Sequence, residues 1–259
     1  MYPVLFEYSD LIIPSWHIFV AIGAIAGYNL LIGLGSNTFS NKNLKRIFIL
    51  AYVSGLFGAR WLTVLLQEPH SSFSETIQNM FSIGGMTFYG GAISGAGVTL
   101  IYILMFKLNL KKFLDISIPC LLVGLGFGRI GCFLNGCDYG IALENQNTSI
   151  WWASANPILQ DGLLRYPVQI FEAITSLLIA ICIIYIRKKR LLKDGISGSV
   201  GIILYGCSRF ILEYYRGDDR GPFTMQLSPS QCISLIILTL AGFQILYLQK
   251  NNASHKTIR

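Results

Sequence analysis

Six arginines stand apart from the lysine clusters of this sequence: Arg60, Arg129, Arg165, Arg209, Arg216 and Arg220. Arg60, Arg129 and Arg209 lie inside long apolar runs, where a guanidinium costs about 2.5–3.5 kcal/mol at the centre of a membrane-spanning helix. A chemistry that repays this cost is the bidentate grip of a phosphate in a cavity open to the lipid. Another is internal pairing, of Arg209 with Glu213 one turn on and of Arg129 with Glu172, or snorkelling to headgroups. The densest stretch is Gly128-Arg129-Ile130-Gly131-Cys132-Phe133-Leu134-Asn135-Gly136-Cys137-Asp138-Tyr139-Gly140. Glycines let backbone N–H groups approach an anion while the arginine supplies charge. The same spacing also suits a small-residue packing face followed by a turn. His17, Tyr89 and Gln169 are the further polar side chains expected at the depth of the arginines, although a lone His or Tyr at an interface commonly only anchors a helix.

Of the 259 residues, 53% are hydrophobic and only 13% charged, about half the charge of a soluble domain. Lipid is therefore the expected solvent for most of the chain. Seven stretches are long and apolar enough to cross a bilayer, near 14–34, 47–66, 84–106, 113–134, 167–186, 197–215 and 227–248. The fold class expected is an all-α membrane protein of one domain, with residues 135–166 as a small extracytoplasmic cap. Helical rise puts the three intramembrane arginines roughly 18–24 Å into a ~30 Å core, beyond its midplane. Three cations at one depth on separate helices repel unless an anion lies between them.

All ten lysines lie in 42–45, 107–112, 188–193 and 250–256, with Arg46, Arg187, Arg190 and Arg259 beside them. The alternate segments hold no lysine and most of the acids. The positive-inside rule then puts the N-terminus outside and the C-terminus in the cytoplasm, which seven spans satisfy. The net charge of +7 is thus topological, and nucleic acid drops out as a partner. The first thirteen residues carry Glu7 and Asp10 and no Lys or Arg, the reverse of a signal-peptide n-region. Trp151 and Trp152 in the cap suit the membrane interface. Cys132 and Cys137 have no His or second Cys pair at zinc-site spacing, so no metal is expected. A disulfide between them stays open.

The glycine-arginine stretch resembles the signature of the bacterial prolipoprotein diacylglyceryl transferases. Tyr166-Pro167-Val168-Gln169-Ile170-Phe171-Glu172-Ala173 resembles that family's His-Pro-Ser-Gln-Leu-Tyr-Glu segment. The run from Tyr205 to Arg216, containing Arg209 and Glu213, resembles its second arginine motif. Leu227-Ser228-Pro229-Ser230-Gln231 resembles the short segment that opens its last helix. Order and spacing agree along nearly the whole chain, and the family's seven spans with an outside N-terminus match the charge reading.

The resemblance implies transfer of a diacylglyceryl group from phosphatidylglycerol to the lipobox cysteine of a preprolipoprotein, with loss of glycerol 1-phosphate. This would take place at the outer face of the cytoplasmic membrane, without a cofactor. It implies Arg129 and Arg209 as the essential arginines, with Asn135, Gly140, Glu213 and Arg216 at other motif positions and Gln169 in the substrate site. The family typically has His-Gly-Gly, its proposed general base, where this chain has Tyr89-Gly90-Gly91, and commonly Asn at the position of Cys132. Trp16-His17-Ile18 stands where Trp-Tyr-Gly is frequent, so Tyr89 and His17 are expected to exchange helices as the acid–base candidates. Two alternatives remain at this level: a family member with the same lipid donor and another acceptor, and an anion or lipid transporter. Transporters usually show paired repeats and broken helices near the midplane; seven spans without a visible repeat, and arginines displaced outward, count against that reading.

Overall fold

The structure is a computed structural model, and it describes residues 2–8, 11–67, 72–81, 85–146, 153–156, 158–219 and 226–257. Strands β1 (Val4–Tyr8) and β2 (Leu11–Pro14) lead into α1 (Ser15–Gly35) and α2 (Asn41–Gln67). A short α3 (Phe73–Phe81), then α4 (Phe88–Met105) and α5 (Leu110–Asn135) follow. Next come β3 (Ser154–Ala155), β4 (Leu164–Arg165), α6 (Val168–Lys188) and α7 (Ile196–Leu212). A 3-10 turn (Glu213–Tyr215) and α8 (Pro229–Thr257) complete the chain.

Seven of these helices are long and apolar enough to cross a membrane: α1, α2, α4, α5, α6, α7 with its 3-10 extension, and α8. They expose large apolar side chains; Ile93 is 72% exposed, Leu121 66% and Leu240 63%. Such faces need lipid rather than water against them. The chain is thus an all-α, multi-pass membrane protein.

Two helix starts differ from expectation for local reasons. Helix α2 begins at Asn41, ahead of the apolar run, because Leu44 and Ile47 bury on one face while Lys42 and Lys45 stay exposed. Helix α4 begins at Phe88 and not at 84. Thr87 is extended, its N–H shared between Ala59 O at 3.1 Å and Thr63 Oγ1 at 2.7 Å. Gly85 therefore precedes the helix, while Gly84, with Trp151, Trp152 and Arg220, lies outside the described residues.

The fold forms two compact units, residues 1–31 with 114–259, and residues 32–113. In the second, α2 and α4 meet at Gly58 and Gly90, where a Cβ on Gly90 would run into the Gly58 carbonyl and Leu62. Ser94 Oγ donates to Ser54 O at 2.8 Å across that seam. This is the small-residue packing that lipid-embedded helices use. In the first unit, Gly23 of α1 lies against the Gly124 backbone of α5, and Gly201 of α7 against Ile118 and Ile183. Asp115, buried at the start of α5, accepts the N–H groups of Gly195 at 2.6 Å and Gly198 at 2.7 Å. It thereby satisfies the orphan donors that open α7.

Candidate functional site

The first unit holds a row of charges of alternating sign, drawn from α5, α6, α7, the 3-10 turn and the loops that follow α5 and that turn. Arg129, one and a half turns before the end of α5, points Nη1 at Asp138 Oδ2 (2.6 Å) and Nε at Glu172 Oε2 (3.0 Å) of α6. Glu172 Oε1 faces Arg209 Nε of α7 at 3.7 Å and accepts the Tyr205 hydroxyl at 2.9 Å. Arg209 Nη1 meets Glu213 Oε2 at 2.8 Å, and its Nη2 donates to Ser230 Oγ of α8 at 3.1 Å. Glu213 Oε1 accepts the Ser228 hydroxyl at 2.6 Å. At the other end Arg216 Nη2 reaches Asp138 Oδ1 at 2.7 Å, and the same guanidinium also holds Asp218.

The anion expected between the arginines is therefore a carboxylate of the protein itself. Glu172 is 2% exposed and Glu213 fully buried, with Arg129 and Arg209 nearly so. Buried charges of this kind persist only when they are paired and hydrogen-bonded. The internal-pairing alternative of the sequence reading is realised, and Asp138 adds a partner that reading missed. It does not use up the donors. A guanidinium has five N–H groups, and Arg129 Nη2 has no hydrogen-bond partner among the described residues.

Asp138 reaches Arg129 because α5 ends in a tight reversal. Gly136, at φ +84°, donates to Phe133 O at 3.3 Å, and Cys137 N–H donates to Cys132 O at 3.1 Å. That pair of bonds is the glycine-terminated helix cap, and a side chain at Gly136 would be strained. The cap brings residue 138 back beside residue 129. Burial alone would raise the Asp138 carboxyl, but Arg129 and Arg216 outweigh it and hold the group below the usual aspartate range. Burial likewise works against the Arg216 cation, yet Asp218 and Asp138 raise its pKa further above the ordinary arginine value.

The remaining expected residues fall into three groups. Gln169, buried at the start of α6, donates to Cys137 O at 2.7 Å, and its Oε1 has no partner among the described residues. Asn135 is half-buried at the end of α5. Gly140 is bridged to Arg216 as in an antiparallel pair, and a Cβ there would strike the Tyr166 carbonyl. Gly140 and Gln169 thus border the row. His17 is exposed in the first turn of α1, its ring edge-on to Trp16 at 5.1 Å. Tyr89 is half-buried in the first turn of α4, edge-on to Phe88. Arg60 belongs to neither group: it donates to Asn79 O (3.1 and 2.5 Å) and Gly85 O (3.1 Å), holding the segment before α4 within its own unit. Cys132 and Cys137 are free thiols. With an Asp138 oxygen they place three possible ligand atoms within 4.8 Å of one another, but both oxygens of Asp138 are already taken by arginines.

Comparison with known proteins agrees with the arrangement of motifs. The family model described as prolipoprotein diacylglyceryl transferase matches residues 3–247. The phosphatidylglycerol–prolipoprotein diacylglyceryl transferase of Clostridium tetani is 30% identical, over 94% of this chain and 96% of its own length. A second such transferase, numbered 2, from Clostridium perfringens is 31% identical, over 98% of each. One from Rickettsia bellii is 28% identical over 94% of each. With a family match of this extent laid over the paired arginines, the chain belongs to the prolipoprotein diacylglyceryl transferase family.

Proposed function

We propose that the protein transfers a diacylglyceryl group from phosphatidylglycerol to the lipobox cysteine thiol of preprolipoproteins, at the outer face of the bacterial cytoplasmic membrane. The observation that carries the reading is the buried row Arg216–Asp138–Arg129–Glu172–Arg209–Glu213, with the spare Nη2 donor on Arg129. In the reaction the acceptor thiolate attacks an sp³ glycerol carbon and forms the C–S bond. The C–O bond to phosphate breaks, its electron pair goes to the phosphate oxygen, and glycerol 1-phosphate leaves. The thiol proton passes to a base, for which His17 and Tyr89 are the candidates.

The protein's part is to hold positive charge where the phosphate gains it. Glu172 and Glu213 fix the two guanidiniums before substrate arrives, so no reorganisation is needed at the moment of reaction. Asp138 differs from them, since its side chain is 31% exposed against 2% and 1%. It serves as the exchangeable anion that the lipid phosphate replaces on Arg129 and Arg216. Gln169, Asn135 and Gly140 shape the donor site, with Gln169 Oε1 available to a hydroxyl of the departing glycerol.

The test is purified protein with phosphatidylglycerol and a lipobox peptide, followed by peptide mass. A diacylglyceryl gain that falls about 10²–10³-fold in Arg129→Ala is expected. Consumption of the lipid without peptide modification would redirect the reading to another acceptor, and no turnover at all would end it.

A further inference from the structure

The cap that returns Asp138 to Arg129 also puts two thiols side by side. In this kind of helix end, the residue after the left-handed glycine contacts the residue five positions earlier. Those two residues are Cys137 and Cys132. Their sulfurs lie within 4.8 Å of each other, and Cys137 Sγ donates to Cys132 O at 3.6 Å. The backbone bond from Cys137 N–H to Cys132 O (3.1 Å) ties the two residues together. Cys137 is half-buried and Cys132 buried, which gives one thiol that a reagent can reach and one behind it.

We propose that Cys132 and Cys137 are a redox-active dithiol whose oxidation to an intramolecular disulfide reversibly switches off the neighbouring arginine site. The oxidant is a small or protein disulfide. The Cys137 thiolate attacks it, forming a mixed disulfide and releasing one thiolate. The Cys132 thiolate then attacks the Cys137 sulfur and releases the second. Two protein thiols and one disulfide thus become one protein disulfide and two thiols, with the two protein protons carried off by the leaving thiolates.

The contact with Cys132 holds the Cys137 thiol below the ordinary cysteine range against the opposing effect of burial, which favours it as the attacking group. The coupling to the site runs through two contacts. Asp138 follows Cys137 directly and pairs with Arg129 at 2.6 Å and Arg216 at 2.7 Å. The Cys137 carbonyl accepts from Gln169 Nε2 at 2.7 Å. Drawing Cys137 toward Cys132 therefore shifts an anchor of Arg129 and an anchor of Gln169 together.

This coupling rests on the proposed transferase reading; the chemistry of the dithiol does not. The experiment is titration of the full-length protein in nanodiscs with oxidised and reduced glutathione, followed by alkylation, peptide mapping and the transfer assay. The expected result is one peptide cross-linked between Cys132 and Cys137, with activity reduced about 10- to 100-fold, the size of effect a small misplacement of a catalytic group produces. Dithiothreitol restores the activity. In Cys132→Ser the ratio of oxidised to reduced activity stays close to one, whatever its basal rate. Independent glutathione adducts on the two cysteines with no cross-link overturn the dithiol. A cross-link that leaves the rate unchanged overturns the switch. The cross-link is read by mass alone, so a reduced protein with no transfer activity overturns the proposed function and leaves the mass to decide the dithiol.

Discussion

At the residue scale, the site is governed by how many carboxylates two buried guanidiniums share. Glu172 touches both Arg129 and Arg209, so its charge cannot be removed without leaving an excess of buried positive charge. Glu172→Gln keeps the shape and removes the charge. It should cost about 3 kcal/mol, the lower end of the range for an uncompensated buried ion, because Asp138 and Glu213 remain. Thermal unfolding in detergent measures this, and an unchanged midpoint would mean the row is not a structural unit. Asp138→Asn should act in the opposite sense on substrate. It removes the anion that competes with the lipid phosphate, so KM for phosphatidylglycerol falls roughly two- to ten-fold, the worth of about 1 kcal/mol. A raised KM would show that Asp138 orients the arginines instead. The pH dependence follows from the sign of the Asp138 shift. Its carboxyl is held below the ordinary value, so its contribution to stability is fully present above about pH 4 and is lost as pH falls through the lowered value. Thermal unfolding midpoints of wild type and Asp138→Asn, measured across pH, should therefore separate above pH 4 and converge below it.

At the element scale, the spans were legible because a run of about 20 apolar residues has few other uses. Shorter elements escaped that test. The β1–β2 hairpin pairs Phe6 with Ile13 and Tyr8 with Leu11, yet each strand is too short for its pattern to stand out within an acidic loop. Helix α3 did carry a readable signal. Ser72 and Glu75 form a reciprocal cap, with Ser72 N–H donating to Glu75 Oε2 at 2.8 Å and Glu75 N–H to Ser72 Oγ at 3.4 Å; the spacing Ser-x-x-Glu announces such a start. In the site, Arg129, Arg209, Glu172 and Glu213 could be read one helix turn at a time. Asp138 could not, because its pairing depends on the left-handed turn at Gly136. Asp115 was hidden for a related reason, since its partners are backbone N–H groups eighty residues away in sequence. This gives a test of elements against chemistry. Asp115→Ala should destabilise the protein by about 0.5–2 kcal/mol, as loss of a helix cap does. Its partners at the start of α7 lie about 20 Å along the helix from Arg209, so the transfer rate per folded molecule should hold. A lost rate at unchanged stability would place Asp115 in the reaction.

At the scale of the whole molecule, orientation links the site to its substrates. Seven of the described helices are of spanning length, and the distribution of charge predicts their direction of crossing. Every lysine lies in 42–45, 107–112, 188–193 or 250–256, and each of these follows an odd-numbered span. A lysine next to a span is worth most on the cytoplasmic side, where the translocation machinery and anionic lipids hold it. Asp138, Asp161 and Asp218 then fall in the outer connections, together with the end of α5 that carries Arg129. That side is also where a secreted thiol acceptor would arrive and where a disulfide oxidant is available. Orientation and both proposed activities are thereby linked: a reversed protein would present its arginines to the cytoplasm, where the glutathione pool would keep Cys132 and Cys137 reduced. Reporter fusions separate the two cases. A green fluorescent protein joined after the last residue should fluoresce, and alkaline phosphatase at the same point should be inactive. Phosphatase inserted after Asn145, in the connection between α5 and α6, should be active. The reverse pattern would move the site to the other face and remove the basis for an extracytoplasmic acceptor, even if the row of charges were correct in every contact.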